Sequence, residues 1–530
     1  MGKYAVWGNG RYELVRSLED KLYKSDVMLR YTGHPIADVG VATLSAFCEK
    51  PDPSTLTKKD LLKVANFLEK EYFSGKLLSY LTCVFPNAAY VQPGAQPGAK
   101  IKMKSENIAQ FKRQVLYAFQ EPPDPHASGL RCIFSGEPAS RIVYRQHVPM
   151  ITGEDVLNFF PAGTGGLPIS GAYLLAIQAF PMGARRCYGR ALAVHCPDDP
   201  KLTYAFAHRF LNDNRKLLLL TDKSKEKYLD AKAPKTLIVH VLLEIEHERR
   251  EWSEDEPAPS VTVYHLTNSG QGPDIDLFQL PSEVVKFIRA VSRAGTSQVW
   301  QKIQSSARER TSEDDKQKKS KGRKKHKQAT NTHGEKPWNP EMNRNYLYDD
   351  LFDLPANAAR FVRTYFLRQA HRFARESDPR RDYHLTRQFD LVSWDITRLF
   401  LKEVIGMEKS RIEAIRSLGD RVAQHIALDN DRRLFQGLYR ANRYVILRNL
   451  LIKASNVRLK KGQPPLLGLD EFLLVFEEGE ELARTDWTLA RDLVLIRVIE
   501  ELHRQGWFGK QPDALQELET EDEAANLAAS

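Results

Sequence analysis

Residues Ser305 to Pro340 read SSARERTSEDDKQKKSKGRKKHKQATNTHGEKPWNP. The stretch holds almost no aliphatic side chains, and a dense cationic run spans Lys316 to Lys327. So little apolar surface does not offset the entropy of ordering a chain, which predicts a disordered basic linker over 305–340. The run has two readings: a solvated, self-repelling tether, or a flexible arm whose Lys318, Lys319, Arg323 and Lys324 meet nucleic-acid phosphates, which needs no fold. Either way it splits a chain of 530 residues, too long for one core, into two folded parts.

Upstream, over 1–304, the signals are mixed. Leu61 to Ser79 has helical spacing at Leu62, Ala65, Leu68 and Tyr72, while Thr236 to Glu244 and Ser260 to Leu266 are β-branched runs that read as strands. Downstream, Ile412, Ile415, Leu418, Val422 and Ile426 recur at three and four residues, and Asp486 offers an N-cap for a helix through Leu495, Val498 and Leu502. The expected fold is an α+β N-terminal region followed by an all-α helical bundle over 341–512, joined by the linker. Asp513 to Ser530 carries six acidic groups and no basic one, and reads as a solvated acidic tail.

Apolar residues make up 42% of the chain, enough for folded domains, and Lys plus Arg exceed Asp plus Glu by 78 to 68, so a polyanionic partner fits the charge. The five cysteines, Cys48, Cys83, Cys132, Cys187 and Cys196, are too sparse and too odd in number for a disulfide framework, which points to a reducing compartment. The opening MGKYAVWGNGRYELVRSLEDK has no apolar leader and no apolar run reaches membrane-spanning length, so a cytoplasmic protein without membrane contact is expected.

Familiar catalytic and cofactor patterns fail on their own residues. The loop Phe160-Pro161-Ala162-Gly163-Thr164-Gly165-Gly166-Leu167-Pro168 precedes an apolar helical run to Phe180, but no Lys or Arg lies between Ile151 and Ala184, and a P-loop needs Gly-Lys-Ser/Thr. Pro168 stands where a dinucleotide fingerprint needs its third glycine. The loop is then a strand-to-helix turn, or backbone open enough to approach nucleic acid. Asp274 with Glu283-Val284-Val285-Lys286 misses a nuclease core by one residue, which on a strand turns the lysine to the opposite face. No His-Asp dyad is visible either, so neither catalysis nor a cofactor is expected. Cys132-Ile133-Phe134-Ser135-Gly136 is half a zinc knuckle whose second thiolate is missing; Cys187, His195, Cys196 and His208 are irregularly spaced, and no bound metal is expected.

Tyr31-Thr32-Gly33-His34-Pro35-Ile36-Ala37-Asp38-Val39-Gly40, then Leu61 to Ser79, then Phe85-Pro86-Asn87-Ala88-Ala89-Tyr90-Val91-Gln92-Pro93, follow one another in an order that resembles the large subunit of Cascade, the type I CRISPR-Cas effector complex. The Cys132 segment, Asp155 to Phe160 and the Gly163 to Gly166 loop extend the likeness through about residues 25–215. It looks most like the type I-B and Myxan-subtype large subunits, a group that includes the fruiting-body developmental protein T. Relatives often carry a second cysteine where Ser135 stands, a departure that puts any zinc site inherited through the resemblance in doubt.

The resemblance implies a non-enzymatic subunit. Such a protein grips the 5′ end of a guide CRISPR RNA and reads a protospacer-adjacent motif in double-stranded target DNA. It promotes R-loop formation, contacts the backbone and guide-end subunits of Cascade, and recruits a separate helicase-nuclease in antiviral defence. In that role Gly163, Thr164, Gly165 and Gly166 would approach a groove, Asn87, Tyr90 and Gln92 would stack or hydrogen-bond, and Arg185 and Arg186 would meet phosphates. Other readings are a nuclease whose acidic site is assembled from distant residues, and a guide complex serving a transposon.

Some type I-B relatives make their small subunit from an internal start. Met407 is the only methionine after Met342, and a product from it would have 530 − 407 + 1 = 124 residues. Met407 to Lys461 holds 13 Lys/Arg against 5 Asp/Glu. Arg411, Arg416, Arg421, Arg432, Arg433, Arg440, Arg443 and Arg448 are spaced so that several share a helical face suited to the displaced strand.

Overall fold

A computed structural model describes residues 29–151, 165–224, 230–248, 257–269, 272–293, 295–310, 338–371, 375–478 and 482–511. The cationic run with Lys318, Lys319, Arg323 and Lys324, the residues Gly163 and Thr164, and the acidic segment from Asp513 lie outside them. The chain forms two compact units: 1–254 with 259–279, and 255–258 with 280–530. The first mixes helices with a small sheet and the second is rich in helix, as the composition shift predicts.

The first unit is organised on α1 (Pro35–Phe47), whose residues from Ile36 to Ala46 are all buried. Pro35 opens the helix and His34 Nδ1 accepts from the Ala37 amide at 3.4 Å. The unit's other helices are α2 (Lys58–Tyr72), α3 (Leu78–Val84), α4 (Ser105–Phe111), α5 (Gly171–Ala179), α6 (Pro200–Ser224) and α7 (Pro234–Glu248); α5 and α6 pack along α1, and α7 lies against α6. A two-stranded ladder pairs β1 (Arg141–Val143) with β2 (Leu167–Ile169). The four-stranded sheet runs β3 (Arg185–Cys187), β4 (Arg190–His195), β5 (Val261–Thr267) and β6 (Asp274–Leu280), with β4 antiparallel to both β3 and β5.

Gly40 sets the crossing of α1 over α5. A Cβ there would stand 2.2 Å from the Ala176 carbonyl oxygen, so the two backbones touch where only hydrogen fits. Gly40→Val is expected to destabilise this unit by about 3 kcal/mol or more, read as a lowered melting midpoint, because the obstacle is backbone and has no rotamer to shift.

Two expected elements differ. Leu61 to Ser79 is not one helix: α2 starts at Lys58 under a Thr57–Asp60 capping box and ends at Tyr72, before left-handed Gly75. Thr236 to Glu244 is not a strand but the middle of α7. Pro234 opens that helix, and near-continuous burial from Thr236 to Ile245 removes the polar face that would have shown a helical period. Ser260 to Leu266 does give β5.

The second unit begins at Leu280 rather than after 304. Its first helices, α8 (Ser282–Val291) and α9 (Ser297–Ser306), are followed by α10 (Tyr346–Leu351) and α11 (Trp394–Phe400) with shorter helical turns between. Phe287 of α8 meets Trp300 and Phe400 edge-on, each at 5.4 Å between ring centroids, and Phe361 stacks on Phe400 at 5.3 Å. These aromatic contacts bind α8 and α9 into the helical core, which is why the unit boundary precedes the linker. Glu283 and Lys286 lie on α8, so the strand-face argument made for them does not apply, and Lys286 instead pairs with Glu403 at 3.2 Å.

The rest of the unit is α12 (Lys409–Asp429), α13 (Arg432–Arg440), α14 (Tyr444–Lys460), α15 (Leu469–Phe476), the short ladder of β7 (Glu477–Glu478) with β8 (Leu482–Ala483), α16 (Trp487–Arg504) and α17 (Trp507–Lys510). Ile412, Ile415, Leu418, Val422 and Ile426 are all buried on α12, which packs along α16. Asp486 precedes α16 but does not cap it: its carboxylate is taken by Arg411.

Candidate nucleic-acid interface

From Arg432 to Lys461 the chain holds nine Lys/Arg and no Asp or Glu. The reason this surface stands out is how little of it is buried. Asp431 Oδ1 caps α13 by accepting from the Leu434 amide at 3.0 Å, and Leu434, Phe435 and Leu438 face inward. Along α14 only Leu447, Leu451, Ala454 and Arg458 are buried, a narrow seam at four- and three-residue steps. Arg433, Arg443, Arg448, Lys453, Lys460 and Lys461 are exposed. Between them stand exposed apolar side chains, Val445 at 64% and Leu459 at 53% among them. Tyr444 ties the start of α14 to β7, its hydroxyl donating to Glu477 Oε1, and burial followed by that carboxylate raises the phenol's pKa.

The arginines of α12 are used differently. Arg411 is buried and holds Asp486 with two bonds, Nη1–Oδ2 at 2.7 Å and Nη2–Oδ1 at 2.9 Å. Arg421 donates to the Glu471 carboxylate and to the Leu466 carbonyl. Arg416 is exposed, with Glu413 at 3.8 Å one turn back. Of the arginines from Arg411 to Arg448, several of which could share a helical face, acids on other elements take the two inward-facing guanidinium groups, Arg411 and Arg421, and α13 with α14 carries the exposed ones. Arg440 is exposed, and Arg432 is half-buried, donating from Nη2 to Gln511 Oε1.

In the first unit the expected contacts scatter. Tyr90 is fully buried among the rings of Tyr72, Phe73, Phe85 and Phe111, and its hydroxyl donates to Gln178 Oε1 at 2.8 Å, so it is a core residue and not a stacking platform. Burial and then Tyr72 push its phenol well above the ordinary pKa. Tyr90→Phe is expected to cost about 1–2 kcal/mol in a urea melt, by leaving Gln178 Oε1 without its donor, and to leave nucleic-acid affinity unchanged.

Asn87 is exposed and Gln92 half-buried. Arg185 is fully buried and so is withdrawn from phosphate contact, because its position on β3 points it into the unit. Arg186 lies on the other face, donating to Ser79 Oγ at 2.7 Å with Asp230 at 3.7 Å. Gly166 has φ +71°, and a Cβ there would meet Ile142 of β1 and Tyr144 just after it, each at 2.6 Å, so side chains fill its bare face, while Gly165 is half-buried.

One pair was invisible in the sequence. Asp38 and His195, 157 positions apart, are both buried and joined by Oδ2 and Nε2 at 3.0 Å. Thr32 donates to Asp38 from its amide at 2.7 Å and its hydroxyl at 2.9 Å, and the Gly33 amide donates at 2.9 Å. Burial would push this carboxyl up, but the bonds from His195, Thr32 and Gly33 outweigh it and hold its pKa below the ordinary value. Through these bonds the pair pins the Tyr31 to Gly40 segment to β4.

Cys132 is buried in a turn closed by its carbonyl accepting from the Gly136 amide at 2.9 Å, and all five cysteines are free thiols. Among the described residues no three His, Cys, Asp or Glu side chains come together to hold a metal, and no helix is long and apolar enough to cross a membrane. Met407 is half-buried in the turn between left-handed Gly406 and α12. Contacts that cross that position include Arg363 Nε to Asp492 Oδ2 at 2.5 Å, the Trp394 amide to Glu500 Oε1 at 2.8 Å, and the Phe389 ring against His503 at 4.3 Å between centroids.

No protein-family model matches this chain, and no curated protein or solved structure matches it either.

Proposed function

We propose that this chain is a cytoplasmic nucleic-acid-binding subunit, the non-catalytic large subunit of a type I CRISPR-Cas Cascade complex of the type I-B or Myxan-subtype kind. In this reading it binds guide RNA and target DNA, reads the protospacer-adjacent motif, promotes R-loop formation and recruits the helicase-nuclease. The observation that carries nucleic-acid binding is the α13–α14 surface: nine cations without an acid, with Arg433, Arg443, Arg448, Lys453, Lys460 and Lys461 presented outward. A row of outward-facing cations on a helix suits a phosphate backbone, because each contact releases condensed counterions and needs no base recognition; of the six, Lys461 also pairs with Asp429 at 2.9 Å. The ordered likeness through Tyr31 to Gly40, Phe85 to Pro93 and the Cys132 segment supports the more specific assignment.

Internal initiation at Met407 belongs to the same proposal. It would give a product that keeps the α12–α16 packing and the cationic surface but lacks Arg363 and Trp394.

Co-expression with neighbouring genes and a CRISPR array, followed by purification on a tag on this chain, tests the assignment. Repeat-derived RNA is expected to co-purify; its absence overturns the Cascade reading. Metal-dependent cutting of DNA by the purified chain alone would favour a nuclease instead.

A further inference from the structure

The exposed face of α14 carries more than a phosphate backbone requires. Val445, Ile446, Ile452, Val457 and Leu459 are all exposed there, between Arg448, Lys453 and Lys460. Phosphates account for the cations and leave the five apolar side chains unexplained. A segment that joins acids to apolar groups would satisfy both.

Such a segment follows directly on the described chain. Asp513 to Ser530 has six acids and no base, with Leu515 and Leu518 set among them. The structure also says where it sets out. Phe435 of α13 holds Trp507 and Phe508 at 5.8 Å each between ring centroids, which seats α17 on α13. Gln511, the last described residue, is then fastened by Arg432 at the start of α13. Arg432 and Arg433 share a cavity of about 530 Å³ with Val457 and Lys461, at the far end of α14. The acids lining that cavity are already engaged: Asp429 by Lys461 at 2.9 Å and His425 at 3.0 Å, and Asp431 by the Leu434 amide. The chain beyond Gln511 thus starts at one end of the cationic face. Its 18 residues reach up to ~60 Å when extended, and the 17 residues of α14 span only ~25 Å.

We propose that Asp513–Ser530 docks on α14 and the start of α13 within the same chain, its carboxylates on Arg433, Arg448, Lys453 and Lys460 and its leucines on the exposed apolar residues, and so competes with nucleic acid. This rests on the nucleic-acid reading of the face but is measured separately from it. A tethered acidic segment works at high effective concentration, so modest intrinsic affinity is enough to exclude weak, non-specific polyanions. A guide or target strand held by other contacts would displace it.

Two measurements on the chain ending at Gln511 test this. A fluorescein-labelled Asp513–Ser530 peptide should bind it in low salt, weaken as salt rises, and lose at least tenfold in affinity when Val457→Asp or Arg448→Glu is introduced. The same truncated chain should bind a 20-nucleotide thymidine strand about tenfold more tightly than the full chain does. If the peptide binds but neither chain binds DNA, docking stands and the nucleic-acid reading falls. If the peptide fails to bind and truncation leaves DNA affinity unchanged, the docking proposal is overturned. It is equally overturned if the truncated chain sediments as a dimer that Val457→Asp dissociates, since a second copy then covers the face. Should truncation impair folding, the full chain with all six acids changed to their amides gives the same DNA comparison.

Discussion

Changing Arg433, Arg443 and Arg448 together to glutamate is expected to lower the affinity of the chain for single-stranded DNA by about a hundredfold or more near ~50 mM salt. The slope of log affinity against log salt should flatten by about 2, since each lost phosphate contact removes roughly 0.7 from it on a single strand. The loss should be alike for unrelated sequences, because these groups meet phosphates and not base edges. All three side chains are exposed, so the melting midpoint should barely move. Fluorescence anisotropy over a salt series reads both quantities, and an unchanged slope would remove this face from the interface.

Arg411→Ala should do the reverse, destabilising the helical unit by about 2–4 kcal/mol while leaving DNA affinity per folded molecule as it was. The substitution strands Asp486 beside Arg484 and removes the donor to the Val475 carbonyl at 3.0 Å. Arg411→Lys should not rescue it, because a point charge does not reproduce two parallel bonds. The effect has a signed pH dependence. Burial alone would raise the Asp486 carboxyl, but hydrogen bonding and charge from Arg411 outweigh that and hold its pKa below 3.8. The folded value is depressed, so the pair stabilises fully above the ordinary carboxylate range. Its contribution is lost as pH falls through the folded value, and urea melts of wild type and variant should therefore converge in acid.

These two outcomes separate residues that look the same in the sequence. Arg411 and Arg448 are both arginines on helices of the second unit, and only the position of Asp486, 75 residues from Arg411, decides that one is structural. Tyr90 shows the same limit from the apolar side. The FPNAAYVQP segment allows Tyr90 to be either a stacking candidate or an ordinary packed residue, and the structure selects the second: rings from four other positions close over it and Gln178 supplies its polar partner.

Where the deciding information is local, the sequence was sufficient. The three- and four-residue spacing from Ile412 to Ile426 specifies α12 because a helix has that period whatever it packs against. The β-branched run in Ser260 to Leu266 likewise gives β5 from a local preference. The change from mixed to helical character across the cationic run was also legible, being a property of composition. Helix α7 was not, since burial on nearly every side erases the period that separates helix from strand.

The tertiary structure alone decided which charges are spent and which remain. Polar contacts such as Asp38–His195, Arg411–Asp486 and Arg421–Glu471 join residues 157, 75 and 50 positions apart, so no short window along the chain contains both partners. The acid-free run from Arg432 to Lys461 is the exception. It holds no carboxylate of its own, and although Arg458 is buried on the Pro464 carbonyl and Lys461 pairs with Asp429, α13 and α14 bury too narrow a seam to withdraw Arg433, Arg443 or Arg448.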